Sequence, residues 1–218
     1  DEPAAKNTPA YPAARKQQST SVQLPFKDDF YYATTSAYPA QELWLDSLVF
    51  INTGFAIAPP SIGVATFDGL GKHGYPHEPN QLSLTLSRPA DTLTSRPINL
   101  KTAGTTTLTP GDSVALLFFY QARGFGDPPE IGDSLMVDLY DPADSVWTKV
   151  WSVRGISNAN LIDSTFKRGF IRISDPKYLK DGFQLRIMNK ATTAGNFDHW
   201  NVDYVYLDRN INRQDTVF

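Results

Sequence analysis

The chain has no cysteine among its 218 residues, which excludes a disulfide framework and any thiolate metal site. It has no apolar run near the roughly 18 residues of a membrane-spanning helix, so we predict no membrane span. Basic clusters are also missing: the nearest approach is Lys167 beside Arg168, and the formal net charge is -3. Because nucleic-acid binders neutralise phosphates with Lys and Arg, we expect no nucleic-acid partner.

Helical periodicity is lacking as well, since no window of a dozen residues repeats its apolar side chains every 3.6 positions. The chain instead has 16 prolines, 14 glycines and 12% aromatic residues, which indicates many turns between strands. Residues 112–123 carry apolar side chains at both alternate sets of positions, as in a strand buried on both faces. Residues 133–141, 166–174 and 182–191 alternate apolar with polar. This pattern predicts an all-β fold, an antiparallel β-sandwich of jelly-roll type.

The domain organisation follows from a change in composition. Residues 1–22 are rich in proline and alanine with almost no apolar periodicity, which predicts an extended tether. From residue 23 the composition is that of a folded protein. We therefore expect one jelly-roll domain over residues 23–218.

Catalytic signatures are missing. Jelly-roll glycosidases carry two glutamates on the same face of one strand, but the four glutamates of this chain are isolated in sequence. The acids of residues 127–133 are separated by prolines and are more typical of a structural turn than of an acid/base pair. No G-x-S-x-G motif accompanies the serines. We predict that the chain is not an enzyme, and a glycoside hydrolase-like activity ranks third among the functions considered.

Four stretches in chain order resemble MAM and concanavalin A-like jelly-roll domains: "ADTLTSRPINL", "SVALLFFYQARGFGD", "DSLMVDLYD" with "VWTKVWSVRG", and "GFQLRIMNKATTAGNFDHWNVDYVYL". The chain is more similar to domains of Bacteroidota cell-envelope proteins, on "PPSIGVATFDGLGKHGYP" and the "WNVDYVYLD" ending. The resemblance covers residues 26–218. The cysteines of eukaryotic MAM domains are missing here.

The resemblance implies one structural Ca²⁺ where the first and last strands meet, bound by oxygen ligands. The acids at or near those places are Asp28, Asp29, Asp68, Asp91 and Asp203. The alternative is that Asp28 and Asp29 cap a turn and that Asp203 is hydrogen-bonded to nearby backbone.

The ending "GNFDHWNVDYVYLD" contains two aspartates that could form a catalytic pair. Asp198 and Asp203 are five positions apart, so on a regular strand they face opposite ways. We therefore interpret the stretch as the closing strand of the sandwich, with Asp203 at its seam with the first strand.

Ligand-binding residues are expected on long loops, which commonly carry recognition in sandwich folds. The longest are residues 51–80 and 122–133. A zinc site formed by His73 and His77 on a helix is disfavoured because Gly74 and Pro76 lie between them. The aromatic residues could form a platform for a sugar ring, although most would serve the core. The candidate ligand contacts are Tyr75, His77, Trp147, Trp151 and Trp200.

These features predict a non-catalytic recognition or assembly domain, and the resemblance implies that it belongs to the bacterial cell envelope. The missing initiator methionine and the Pro/Ala-rich start would suit a mature end left after signal-peptide removal, or a trimmed chain. With the resemblance, they lead us to expect an exported protein at the cell surface, in the periplasm or outside the cell. The expected partners are envelope or surface proteins of adhesion, secretion or gliding. The alternative is a carbohydrate-binding module that uses its loop aromatics on a glycan.

Overall fold

The computed structural model describes residues 21–80, 83, 86–156 and 165–214. No helix among the described residues is long and apolar enough to span a membrane. The predicted tether lies outside these residues except for its last two, of which Val22 bridges to Ile98. Thirteen strands are present in the described part: β1 Phe26–Asp28, β2 Phe50–Asn52, β3 Val64–Phe67, β4 Arg88–Thr94, β5 Ile98–Asn99, β6 Thr102–Ala103, β7 Thr106–Thr107, β8 Ala115–Ala122, β9 Ser134–Asp141, β10 Val146–Arg154, β11 Lys167–Arg172, β12 Asp181–Ala191 and β13 Trp200–Asp208.

The strands form two main sheets. One has six strands in the order β11-β8-β13-β3-β2, with β1 also paired to β13. The other has five in the order β10-β9-β12-β4, with β5 also paired to β12, and β6 and β7 form a small hairpin. Every pair of these strands is antiparallel. The prediction of an all-β, antiparallel jelly-roll sandwich is confirmed.

A single hydrophobic core fills the space between the two sheets. Strand β8 contributes Leu116 and Phe118 to it, while Leu117 on the opposite face is also fully buried. The sequence pattern of a strand buried on both faces is therefore matched. From the other sheet the inward side chains are those at the alternate positions expected from sequence: Leu135, Val137, Leu139, Phe183, Leu185 and Ile187.

A loop covers part of the outer face of the six-stranded sheet, over Gln121 of β8 and Asp203 of β13. Residues 53–63, between β2 and β3, are attached to this face by side-chain hydrogen bonds. Gln121 accepts a hydrogen bond from the Ile57 amide and donates one to the Ile57 carbonyl, both at 2.9 Å. The carboxylate of Asp203 accepts hydrogen bonds from the amide and the hydroxyl of Ser61 at 2.7 and 2.8 Å. The loop backbone is thus held over the sheet by buried polar groups.

A bulge in β13 changes which side chains point inward. The register with β8 shifts between Asp203 and Tyr206, and Tyr204 has a positive φ of 52°. The extra residue reverses the alternation, as β-bulges do. Trp200 and Val202 therefore reach the core before the bulge and Val205 and Leu207 after it. The parity argument from sequence assumed a regular strand, and Asp198 lies before β13 rather than in it.

Candidate recognition groove and acidic cluster

Two adjoining cavities form a groove beside strand β2. Their volumes are about 310 and about 540 Å³, and they share Ala37, Phe50 and Phe55. The groove is lined by the segments around residues 33–38 and 48–55, by Phe125 at one end, and by Asp68 with residues 70–74 at the other. The long loops that the sequence singled out thus supply much of its wall. We call this feature the loop groove.

Large aromatic side chains are exposed along the loop groove. Phe125 is 72% exposed and Phe50 is 43% exposed, although both are apolar. Tyr38, which lines the smaller cavity, is 46% exposed. Contiguous exposed apolar surface of this kind marks binding sites more often than isolated exposed residues do. The loop groove is therefore the best candidate for a binding site in the described part of the chain.

The wall of the loop groove is braced by His199. Its imidazole stacks on Phe55 with ring centroids 5.0 Å apart. Nδ1 accepts a hydrogen bond from the Asp127 amide at 2.9 Å, so the ring proton lies on Nε2, 2.8 Å from Asn196 Oδ1. Burial lowers the pKa of His199, which keeps it neutral at physiological pH. The position of the His199 ring depends on Gly126, since a Cβ at residue 126 would lie 2.4 Å from the imidazole.

Two buried aspartates and a histidine lie at one end of the loop groove. His77 Nε2 is 3.0 Å from Asp91 Oδ1, and Asp91 Oδ2 accepts the Asp68 amide at 2.9 Å. Burial, with the neighbouring Asp91, raises the pKa of Asp68 to about 7. The hydrogen bond to Asp91 raises the pKa of His77. Three of the residues expected from sequence to bind a metal or a ligand thus form a hydrogen-bonded cluster, which we call the aspartate–histidine cluster.

A second acidic group lies between two loops. Ligand oxygens of Glu130, Asp133 and Asp198 all lie within 4.8 Å of one another. Asp133 and Asp198 are buried, and Glu130 is exposed. Burial is the main cause that raises the pKa of Asp198 to about 8 and that of Asp133 to about 6, and nearby carboxylates add to both shifts. We call this group the acidic cluster. Three convergent carboxylates that repel one another form a donor set that suits a hard cation.

The five acids proposed from sequence as calcium ligands are engaged otherwise. Asp28 is bound by Trp44 Nε1, the Tyr32 hydroxyl and the Phe30 amide. Asp29 forms an ion pair with Lys27 at 3.2 Å. Both oxygens of Asp203 accept hydrogen bonds from Ser61. In the described part of the chain, the acids whose ligand oxygens converge are those of the acidic cluster, and the calcium site at the β1–β13 seam stays a prediction.

The five aromatic and histidine candidates are dispersed. Trp200 is 1% exposed and belongs to the core, where no ligand can reach its ring. Trp151 packs edge to face on Phe118, with ring centroids 5.1 Å apart. Trp147 lies on the outer face of the five-stranded sheet beneath the Arg186 guanidinium. Tyr75 is 76% exposed on the loop that carries His77. The structure therefore brings no common platform together from these residues.

Sequence reasoning missed Phe50, Phe125 and Asn196 in the loop groove and Glu130 in the acidic cluster. The segment that contains Glu130 was noticed, but it was interpreted as a turn. Glu130 lies close to Asp198 although the two are 68 positions apart in sequence. No local sequence pattern predicts such a contact.

Several buried carboxyls predict how stability depends on pH. The pKa values of Asp68, Asp198 and Asp203 are raised from 3.8 to about 7, 8 and 6, mainly by burial. A raised folded-state pKa means that the stabilising contribution is complete below about pH 4 and is lost as the pH rises to between 6 and 8. We expect the melting temperature of chelator-treated protein to be lower at pH 8 than at pH 5 by at least roughly 5 °C. An equal or higher melting temperature at pH 8 would contradict this, and an Asp68→Asn variant should show a smaller drop.

Comparison with known proteins supports the fold. No protein-family model matches the chain. A search of curated proteins finds no match either. Among solved structures, the chain is similar to the K1 cleaved adhesin domain of Lys-gingipain from Porphyromonas gingivalis, with a TM-score of 0.50 and 12% identity over 86% of this chain and 99% of that domain. At this level of identity, the similarity shows a shared β-sandwich fold.

Two further similar structures are carbohydrate-binding modules. One is CBM27-1 of Caldicellulosiruptor saccharolyticus, solved with mannohexaose, at a TM-score of 0.47 and 13% identity over 84% of this chain and 96% of that one. The other is the CBM22-1 xylan-binding domain of Paenibacillus barcinonensis, at a TM-score of 0.40 and 9% identity over 88% and 97% of the two chains.

Proposed function

We propose that this chain is a non-catalytic recognition or assembly domain, exported to the bacterial cell envelope, that contacts a protein partner through the loop groove. The observation that carries the proposal is the exposure of Phe50 and Phe125 along that groove. Aromatic side chains are enriched in protein interfaces and supply much of the binding energy there. The resemblance to MAM-like domains of Bacteroidota envelope proteins and the likeness in fold to an adhesin domain are consistent with such a role.

A hydrolytic role finds less support in the same groove. A glycosidase needs two carboxyl groups on either side of the scissile bond. Among the described residues that line the loop groove, Asp68 is the one acid. Its neighbour Asp91 is 1% exposed and its carboxylate is bound by His77 and by the Asp68 amide. A second acid that faces the cavity is thus lacking there.

A site-specific crosslink tests the proposal. A photoreactive phenylalanine at position 125 is expected to capture a discrete protein from the envelope fraction of the source bacterium. The same group at Ile131, which is 57% exposed on the same β8–β9 connection, is the matched control. A Phe50→Ser change should weaken the crosslink at least fivefold, because it removes a large apolar contact from the groove. Equal capture from both positions, or capture of nothing discrete from position 125, would contradict the proposal.

The second candidate is a glycan in the loop groove, favoured by the polar groups of Lys72 and Asn196 beside Tyr38. An aromatic ring with a few polar groups is the usual composition of a saccharide site. Binding of a neutral oligosaccharide on a glycan array, abolished by Tyr38→Ala, would favour this function over protein contact.

We further propose that the acidic cluster binds one structural Ca²⁺. The support is its donor set, in which Glu130 and Asp133 come from the β8–β9 connection and Asp198 from the segment before β13. An ion there would neutralise their repulsion and join two loops that are distant in sequence. Since Asp127 in the first of these loops is hydrogen-bonded to His199, the ion would also stabilise the wall of the loop groove.

A further inference from the structure

The outer face of the five-stranded sheet carries several basic side chains. Strand pairing places Lys149 opposite Asp138, and Asp138 opposite Arg186. Four residues earlier in β9, Ser134 lies opposite Arg154 on one side and opposite Lys190 on the other. Directly paired residues in antiparallel strands lie on one side of a sheet. These side chains therefore share a single face, opposite to the core.

The charge on this face is positive, although the whole chain is acidic. Four cations, Lys149, Arg154, Arg186 and Lys190, share it with Asp138 and with Asp46, which accepts hydrogen bonds from Thr92 and Thr94 at the β4 side. Four positive and two negative charges leave a net +2, against -3 for the chain. Lys149, Arg154 and Lys190 are exposed, so their charge is available to a partner in solution.

The aromatic part of the face is ordered by Arg186. Its guanidinium lies 4.4 Å from the centroid of the Trp147 ring and forms an ion pair of 2.6 Å with Asp138. Tyr140 packs beside Trp147 at 5.1 Å. Trp147, Tyr140 and Gln184 lie in one row across three strands. Two partly exposed rings and an amide thus form one end of a surface whose remainder carries the cations.

We propose that this face binds an acidic polysaccharide, with Lys149, Arg154 and Lys190 as contacts for its negative groups. Arg154 and Lys190 are separated by strand β9, which at the usual strand spacing puts them about 10 Å apart. A polymer with a charge on every one or two sugar rings can contact these spaced cations together, and the partly exposed Trp147 and Tyr140 rings offer a surface on which its sugar rings can stack. Met136 is buried and its pair Met188 is partly buried, so the row between the Lys149 and Arg154 rows offers little apolar surface.

Binding to immobilised polygalacturonate at about 50 mM salt tests the proposal, with neutral dextran as the reference polymer. A Lys149→Glu, Arg154→Glu, Lys190→Glu variant is expected to lose at least tenfold in affinity. The matched control reverses three exposed cations on or beyond the six-stranded sheet, Arg172, Arg209 and Arg213. It changes the net charge equally and should lose less than twofold. A variant with Phe50→Ser and Phe125→Ser should bind as the wild type does, since the loop groove is a different surface.

Three outcomes would overturn the inference. Equal losses in both triple variants would mean that the attraction depends on overall charge and not on this face. If the protein bound neither polygalacturonate nor dextran sulfate, acidic polysaccharides would be excluded as its ligands. Tighter binding to poly-glutamate or to single-stranded DNA than to either polysaccharide would assign the face to another polyanion.

Discussion

Calcium is expected to raise the melting temperature of the chelator-treated protein by roughly 5 to 10 °C when its concentration is about a hundredfold above the Kd. An ion that binds only the folded state then contributes about 2.7 kcal/mol, and 1 kcal/mol moves the melting temperature of a chain of this length by roughly 2 to 4 °C. The rise should grow between pH 6 and pH 8, because the ion needs ionised ligands and the pKa values of Asp133 and Asp198 are raised to about 6 and about 8.

An Asp198→Asn variant is the sharpest control for this prediction. Its amide oxygen can still accept the Thr192 amide hydrogen bond that Asp198 Oδ2 accepts at 2.6 Å, so the fold has no reason to change, but one anionic ligand is lost. We expect its calcium-induced rise to fall below about 2 °C, while an Asp29→Asn variant keeps the full rise. If calcium raised the melting temperature of the Asp198→Asn variant by the full amount, the ion would have to bind at another site. An equal rise with magnesium would indicate a general ionic effect.

Replacement of Asp28 by alanine is expected to destabilise the protein by about 3 to 4 kcal/mol, the range for breaking a buried hydrogen-bonded charge network. One oxygen of Asp28 accepts the Phe30 amide at 2.9 Å; the other accepts Trp44 Nε1 at 2.7 Å and the Tyr32 hydroxyl at 2.9 Å. Trp44 is 1% exposed, so its indole N–H would be left buried without an acceptor. Urea denaturation measures the loss, which should lower the melting temperature by roughly 10 °C.

Asp29→Ala is the matched control because it removes the same group one position along the chain. Asp29 is partly exposed, and its ion pair joins it to a lysine whose side chain is 42% exposed. Exposed pairs of this kind contribute at most about 1 kcal/mol. Similar losses in the two variants would contradict the assignment of Asp28 as a buried structural acceptor.

The strands of the sandwich were largely predictable, because alternation and turn residues are local properties of the chain. Residues 182–191 show this: the side chains at Phe183, Leu185 and Ile187 were expected inside and are fully buried. The closing strand was predicted as a strand, but its faces were not, because the bulge at Tyr204 reverses the alternation. A bulge inserts one residue without any change in composition, so no pattern of apolar positions reveals it.

The candidate site was predictable only as a set of segments. The loops of residues 51–80 and 122–133 were expected to carry recognition, and the loop groove is formed largely by them. The exposure of Phe125 in the second loop, and of Phe50 just before the first, was not predictable, since both look like ordinary core residues in the sequence. Conversely, Trp200 was expected to be available to a ligand and is buried beneath neighbouring strands.

The sequence alone determined the all-β sandwich, the absence of disulfide and thiolate chemistry, and the position of its loops, because these depend on residue type and spacing along the chain. The tertiary structure alone decided the function of each acid. Asp28 binds an indole 16 positions away, Asp203 binds Ser61 across 142 positions, and Asp198 meets Glu130 across two loops. A carboxylate can cap a turn, satisfy a buried donor or bind a cation, and its neighbours in space select among these roles. Those neighbours are brought together by sheet pairing and core packing, which act over distances in sequence that no local pattern spans.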